Sequence, residues 1–250
     1  MAELRAIPVR GIGQIRPGDD LAEIILRALR RQRLKLQRGD ILVVTHKIVS
    51  KAEGQIVSLA KVRPAKAAQR WARRHGGDAR VVELALSQAR RVVRMQRGVL
   101  ITQTGHGLVC ANSGVDLSNV DGGKSAVLLP ADPDRSADRL HRALRDRLGV
   151  RVPVIITDSF GRPWRHGLTE VAIGAAGMKV FRDYRGRRDR AGYKLRATLE
   201  AVADELAGVA SLAGGKLSRT PACIIRGFRF EREAGRARDL VRPAAEDLFR

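Results

Sequence analysis

The sequence is poor in residues that staple, stack or span. Its 250 residues include two cysteines, Cys110 and Cys223, too few for a disulfide framework or a cysteine-rich zinc site. Aromatic residues make up 4%, which leaves little stacking surface for single-stranded nucleic acid. No apolar run approaches the roughly 18 residues that a membrane-spanning helix needs. The opening MAELRAIPVRG lacks an apolar signal core. Export by that route is therefore not expected, and a reducing, cytoplasmic setting is. The histidines His46, His75, His106, His141 and His166 show no paired spacing of the kind a zinc site uses.

The familiar nucleotide motifs are missing as well. Gly11-Ile12-Gly13-Gln14-Ile15-Arg16 and the run from Gly105 to Cys110 both lack the third glycine of a dinucleotide fingerprint. SNVDGGKS, from Ser118 to Ser125, has Ser where a P-loop needs its first glycine. Its Lys-Ser also leads into the strand-like AVLLP instead of opening a helix.

Cationic charge is abundant: 48 Lys+Arg against 26 Asp+Glu give +22. Such a balance suits nucleic acid or polyanionic small molecules. The cations are 39 Arg and 9 Lys, scattered along the chain, so a solvated basic surface is favoured over a dedicated nucleic-acid groove. The hydrophobic fraction of 44% is ample for a buried core.

Short β-rich runs alternate with helical stretches, which predicts a mixed α/β or α+β fold. Ile7–Val9 reads as a strand entering the loop Gly11-Ile12-Gly13. Pro17 to Asp20 then turns and caps a helix carrying Leu21, Ile24, Ile25, Ala28 and Leu29 at helical spacing. Ile41–Thr45 is apolar enough for a strand buried on both faces. Pro64 is expected to open a helix ending at Gly76-Gly77. Val81–Leu84 is read as a strand and Arg90–Arg97 as a basic helix or its end. Val99–Thr102 and Leu108–Cys110 form a hairpin about Gly105-His106-Gly107. Ala126–Leu129 is a strand stopped by Pro130, and Asp134 to Leu148 a helix closed by Gly149. Val152–Thr157 is a buried strand ending in Asp158. Tyr184–Tyr193 is a loop, Leu199–Leu212 a helix stopped by Gly214-Gly215, and Cys223–Ile225 a late strand. The charged stretch Glu231 to Arg238 is expected to be mobile. Residues 1–250 are taken as one unit or two intertwined subdomains, without repeats.

Candidate chemistry gathers where buried strands end, the usual ligand edge of open α/β sheets. ILVVT leads into His46-Lys47-Ile48-Val49-Ser50-Lys51, whose lysines and hydroxyl suit phosphates; a solvated strand-to-loop junction is the plain alternative. VIIT leads into Asp158-Ser159, a carboxylate and hydroxyl side by side that suit a hard divalent ion. Arg162, Trp164 and Arg165 crowd the same stretch, and the two guanidiniums are plausible carboxylate or phosphate clamps. A third loop, Cys110 to Asn119, carries Asp116, either a second metal ligand or a turn residue. Cys110 has no base nearby in sequence and reads as a small buried hydrophobe. Gly214-Gly215-Lys216 could wrap a phosphate or merely end a helix, and Gly11–Ile15 could offer backbone N–H groups to an anion. These residues alone point to a metal-dependent enzyme acting on phosphorylated or carboxylated substrates.

The same residues resemble a known family. PVRGIGQIRPGDDL, GDILVVTHKIVSKAEG, CANSGVDLSNV, VIITDSFGRPWRHG, AVADELAG and PACIIRGF occur in the order seen in the coenzyme F420-0 γ-glutamyl ligases. The resemblance runs from about Ile7 to about Phe249. It implies ligation of L-glutamate to the deazaflavin coenzyme F420-0, using GTP, two divalent ions (Mn2+ or Mg2+) and K+. It also implies a family-specific α/β fold, a homodimer and no P-loop, while the lack of long apolar runs leaves no membrane partner expected. The fused reductase-like domain of some members is not expected at this length. By matching motif, GTP contacts would be Ile12, Gly13, Gln14, Ile15, His46, Lys51 and Asn119, with Gly214, Gly215 and Lys216. Asp116 and Asp158 would hold one divalent metal and Ser159 would help hold a second, with Lys51 adding charge on the phosphates. Departures from the family pattern are His46 for Ser, Ser159 for Thr, Gly167-Leu168 and Glu170 for Gly-Gln and Asp, and Gly214 for Met. Two other readings stand beside this one: a ligase for a different phosphorylated carboxylate acceptor, and a basic nucleic-acid-binding protein. A regulatory protein that binds GTP without turnover is a further variant.

Overall fold

The computed structural model describes residues 3–247, so Phe249, at the far end of the resemblance, lies outside the described residues. The chain opens with β1 (Arg5–Val9) and α1 (Leu21–Arg31). Asp20 caps α1 by accepting from the Glu23 N–H, satisfying one of the donors a helix start leaves open. Next come β2 (Ile41–Thr45), α2 (His46–Ala52), β3 (Ile56–Ser58), α3 (Lys66–His75) and α4 (Ala79–Ser87). Three strands follow, β4 (Ala89–Gln96), β5 (Val99–Thr104) and β6 (Val109–Ala111), then β7 (Ser125–Val127) and α5 (Pro133–Leu148). The chain continues through β8 (Val154–Arg162), β9 (Arg165–Ala176), β10 (Arg182–Asp183), β11 (Leu199–Glu200), α6 (Val202–Gly214) and β12 (Ala222–Arg226). The result is a mixed α/β architecture, as the alternating pattern predicts.

A five-stranded sheet in the order β1-β12-β2-β8-β9 forms the centre. Only the β2–β8 pair is parallel; its neighbours run antiparallel. Side chains alternate across a strand, so β2 is apolar on both sides for two cores. Leu42 and Val44 pack with α1, α2 and α5, together with Val154, Ile156 and Ile224. Ile41 and Val43 pack with α6, together with Ile155, Cys223 and Ile225. A third cluster, built from Leu59, Leu84, Ala85, Leu100, Val115 and Ala126, sits under α4 and the smaller β4-β5-β6 and β3-β7 sheets. No described helix is long and apolar enough to cross a membrane.

Several expectations are corrected. Val81–Leu84 lies in α4, where Asp78 accepts from the Arg80 N–H at 2.9 Å and Leu84 and Ala85 turn inward. Arg90–Arg97 is strand, not helix: β4 pairs with β5 through Arg97-Gly98, both at positive φ (51° and 78°). Two such residues make the turn whose twist suits a tight hairpin. Pro64 stands before α3, which begins at Lys66, and Leu199–Glu200 pair with β10 ahead of α6. The Glu231–Arg238 stretch is anchored: Glu231 O accepts from the Lys179 N–H at 3.0 Å, and Asp134 accepts from the Ala237 N–H at 2.7 Å and Arg238 Nε at 3.0 Å. The strand expected to stop at Asp158 continues to Arg162 and pairs with β9, with Pro163 and Trp164 at the turn.

Candidate active site

The parallel register aligns Thr45 of β2 with Thr157 of β8. The next residues, His46 and Asp158, therefore emerge together at one end of the sheet. His46 does not lead into a loop; it opens α2, whose Ile48 and Val49 anchor in the core. Its ring is 2% exposed, with Nδ1 3.3 Å from Ser50 Oγ and Nε2 3.2 Å from Asp158 Oδ1. The Nε2 contact lies within ion-pair reach but lacks hydrogen-bond geometry, so that buried nitrogen has no satisfied partner. A buried ring nitrogen without a hydrogen-bond partner beside a carboxylate is unusual and makes this corner a candidate site. Glu53, just past α2, fixes the helix from behind by accepting from Ser136 Oγ at 2.5 Å and from Arg139, both of α5.

Lys47 and Lys51 lie one turn apart on the side of α2 that meets the loop after β6. Lys47 Nζ is 2.7 Å from Asp116 Oδ2 and also donates to Ser118 Oγ. The Ser118 N–H donates to Asp116 Oδ1 at 2.6 Å, and Lys51 Nζ to the Asn119 carbonyl at 2.7 Å. Burial pushes the Asp116 carboxyl up, but the Lys47 ammonium and the Ser118 donors outweigh it and hold the group below the ordinary carboxylate range. Burial, and then the Lys47 charge, hold the Lys51 ammonium below the ordinary lysine range against the opposing pull of Asp121.

The loop carrying Asp116 is rigidly built. Asn112, Ser113 and Gly114 take consecutive left-handed conformations (φ 51°, 54° and 71°). A side chain at Gly114 would strike Leu129, whose Cγ would lie 2.7 Å from the added Cβ. Ser113 is buried and bonds Thr102 Oγ1 at 2.7 Å and the Ala85 carbonyl at 2.6 Å. Asp116 then exchanges backbone hydrogen bonds with Val127 at 3.0 and 2.8 Å. Cys110, just upstream, is buried as expected; burial, and next the Asp158 charge, push its thiol up to about 12.

Asp158 and Ser159 do not form a side-by-side oxygen pair, because both sit in a strand and project to opposite faces. Asp158 pairs with Val171, which packs towards the α1–α5 core. Ser159 pairs with Glu170 and donates to it on the α6 side. There Lys216, just past the α6 cap at Gly215 (φ 70°), donates to Ser159 Oγ at 3.0 Å. In the Gly11–Ile15 loop, Ile12 and Ile15 bury their side chains while Gly13 and Gln14 stay exposed. Its continuation is tied to α2, the Gly18 N–H donating to the Ala52 carbonyl at 2.8 Å. Arg162 donates to the His166 carbonyl at 2.6 Å and pairs with Arg165 across the exposed hairpin end.

One grouping thus joins His46, Ser50 and Asp158, a second joins Lys47, Lys51, Asp116, Ser118 and Asn119, and α2 carries both. Ser159, Glu170 and Lys216 form a third grouping on the other face. Among the described residues no three His, Cys, Asp or Glu side chains converge tightly enough to form a metal cage. The Asp116 carboxylate, with the Ser118 hydroxyl on the same lysine, nonetheless offers hard oxygen donors of the kind a Mg2+- or Mn2+-type ion takes alongside phosphate oxygens and water. A hollow of about 280 Å3 lined by His106, Asp132, Asp134 and Arg238 lies elsewhere. Its Asp134 is already saturated by backbone and Arg238 donors, so the strand ends are the better place for chemistry. Lys47 and Glu170 are the residues whose contacts the sequence did not disclose.

The F420-0:gamma-glutamyl ligase family profile matches residues 11–227, a span that contains every one of these groupings. The chain belongs to the F420-0:γ-glutamyl ligase family. The "Coenzyme F420:L-glutamate ligase" of Methanopyrus kandleri is 46% identical to it over 99% of this chain and 98% of its own. The protein of the same name from Methanothermobacter thermautotrophicus is 43% identical over 98% of each chain. That from Archaeoglobus fulgidus is 39% identical over 99% of this chain and 96% of its own. Among F420-0:γ-glutamyl ligases, then, the likeness extends over nearly the full length of each partner.

Proposed function

We propose that this protein ligates L-glutamate to coenzyme F420-0, with GTP as co-substrate and an acyl phosphate as intermediate, giving F420 with one or more glutamates. The observation that carries the reading is the meeting of His46, Asp158 and the Lys47–Asp116 pair at one sheet end in a chain of this family. In the reading, a carboxylate oxygen of F420-0 attacks the γ-phosphorus of GTP, and GDP leaves. The deprotonated amine of glutamate then attacks the acyl carbon, and inorganic phosphate leaves as the amide forms.

The chain's own groups divide this work. The exposed backbone of Gly13 and Gln14, held by buried Ile12 and Ile15, would receive the nucleotide together with Asn119 and the Gly214-Gly215-Lys216 turn. Lys51 would place a point charge on the phosphates. Asp116 and Asp158 would hold a Mn2+ or Mg2+ ion, and Ser159 would stand beside a second one. Bound there, such ions would neutralise the charge that builds on phosphate oxygens. His46 would contact the nucleotide beside Asp158, its imidazole standing where relatives often have a hydroxyl. K+ as a monovalent activator and a homodimer as the working form complete the reading.

Mass spectrometry of F420-0 incubated with the protein, L-glutamate, Mn2+ and either GTP or ATP tests it. The expected outcome is a GTP-dependent gain of one or more glutamyl units. An unchanged F420-0 mass, with GTP still bound in a parallel titration, would count against it and favour a different carboxylate acceptor.

A further inference from the structure

The Lys47 ammonium occupies the position on Asp116 where a cation would bind. Its Nζ lies 2.7 Å from Asp116 Oδ2 and also holds Ser118 Oγ. The other carboxylate oxygen takes the Ser118 N–H at 2.6 Å. The backbone of Asp116 is fixed by its exchange of hydrogen bonds with Val127 at 3.0 and 2.8 Å, so the carboxylate cannot easily withdraw from the lysine. Lys47 is the adaptable partner: a compact charge on a flexible four-carbon stem, rooted on a helix whose neighbouring residues are buried.

We propose that Lys47 is a positioning residue that acts as a built-in counter-ion, holding Asp116 in place and competing with a divalent ion for it until nucleotide phosphates draw the ammonium away. The inference rests on the reading of Asp116 as a metal ligand. Two cations on one carboxylate oxygen repel, and at this separation the repulsion is strong where water is partly excluded. A divalent ion arriving alone must therefore displace Lys47 and leave its charge with no partner. An ion arriving with a nucleotide brings phosphate oxygens that can take the ammonium. Lys47 thus couples the two ligands: metal binds weakly without nucleotide and tightly with it, and the coupling is reciprocal. Lys51, one turn along the same face, is held by a backbone carbonyl instead of a carboxylate. It does not share this role.

The test is Mn2+ titration by electron paramagnetic resonance, with and without a non-hydrolysable GTP analogue, on wild type, Lys47→Met, Lys47→Gln and Lys47→Arg. The two neutral variants are expected to bind Mn2+ on the order of tenfold more tightly than wild type without nucleotide, and to lose a similar factor of coupling. Lys47→Arg, which keeps the charge, is expected to stay close to wild type. Unchanged or weaker Mn2+ binding by the folded neutral variants would overturn the inference. Asp116→Asn separates the two layers: if it leaves Mn2+ binding with nucleotide intact, the metal-ligand reading of Asp116 fails first. If it abolishes that binding while the neutral Lys47 variants match wild type, only the counter-ion role fails.

Discussion

At the residue scale, the site works by contrasts of environment. Cys110 and Asp116 lie on the same β6-loop segment, yet their ionisations are driven in opposite directions. Burial, followed by the Asp158 charge, pushes the Cys110 thiol up to about 12. A thiolate is the reactive form, so Cys110 in the folded protein should resist iodoacetamide at pH 8, with labelling following only on unfolding. Rapid modification of the native protein, read by intact mass, would contradict this. Asp116 is held below the ordinary carboxylate range, burial being outweighed by Lys47 and the Ser118 donors. A depressed carboxyl contributes stability above its unfolded pKa and loses it as pH falls through the folded value. NMR titration should find the Asp116 carboxyl carbon titrating below free aspartate, and Lys47→Met should move it upward. His46, Lys51 and Asp158 could be picked out as candidates because they follow apolar strand runs, and Asp116 because it is the carboxylate of a small-residue loop after a strand. The sequence did not disclose the Lys47–Asp116 pair, because only the fold brings two distant loops together.

At the element scale, legibility followed the strength of local signals. α5 is plain in the sequence because Asp132 caps it, Pro133 opens it and Gly149 closes it in the left-handed region (φ 68°). β2 and β12 are plain because unbroken apolar runs can only be buried on both faces. β8 past Asp158 was hidden because Ser159, Gly161 and Arg162 look like a loop until β9 pairs with them. β4 was hidden because its arginines suggested a helix, whereas its valines and the Arg97-Gly98 turn make a hairpin. Contact between α5 and β9 is close enough to test. A Cβ at Gly174 would lie 2.3 Å from the Pro133 carbonyl oxygen. Gly174→Ala should destabilise the fold by about 1–3 kcal/mol through overpacking. An unchanged urea midpoint would mean that α5 is not seated on β9 as described.

At the scale of the whole molecule, two cores meet at one corner and the α6 core backs the opposite face of the sheet. The α1–α5 core orients His46 and Asp158, the α6 core backs Ser159 and Lys216, and the third cluster delivers Asp116 on a loop with little freedom. Asp134 ties distant parts together: it accepts from the Ala175 N–H at 2.9 Å, the Ala237 N–H at 2.7 Å and Arg238 Nε at 3.0 Å. Asp134→Ala strands those buried donors and should cost about 3 kcal/mol, lowering the melting temperature by about 10 °C at this chain size. A melting curve that superimposes on wild type would show that the segment after Glu231 is not held there. The formal charge of +22 is spread over this scaffold.

We propose that GTP-dependent glutamyl ligation takes place at the Asp158 corner. Its most direct test is the rate of glutamyl addition to F420-0, followed by mass spectrometry, for wild type and Asp158→Asn with matched melting temperatures. The expected result is GTP-dependent addition by wild type and a rate lower by a factor of about 100 or more in the variant, the scale of losing an electrostatic stabiliser at a phosphoryl-transfer centre. A near-wild-type rate in Asp158→Asn would contradict it.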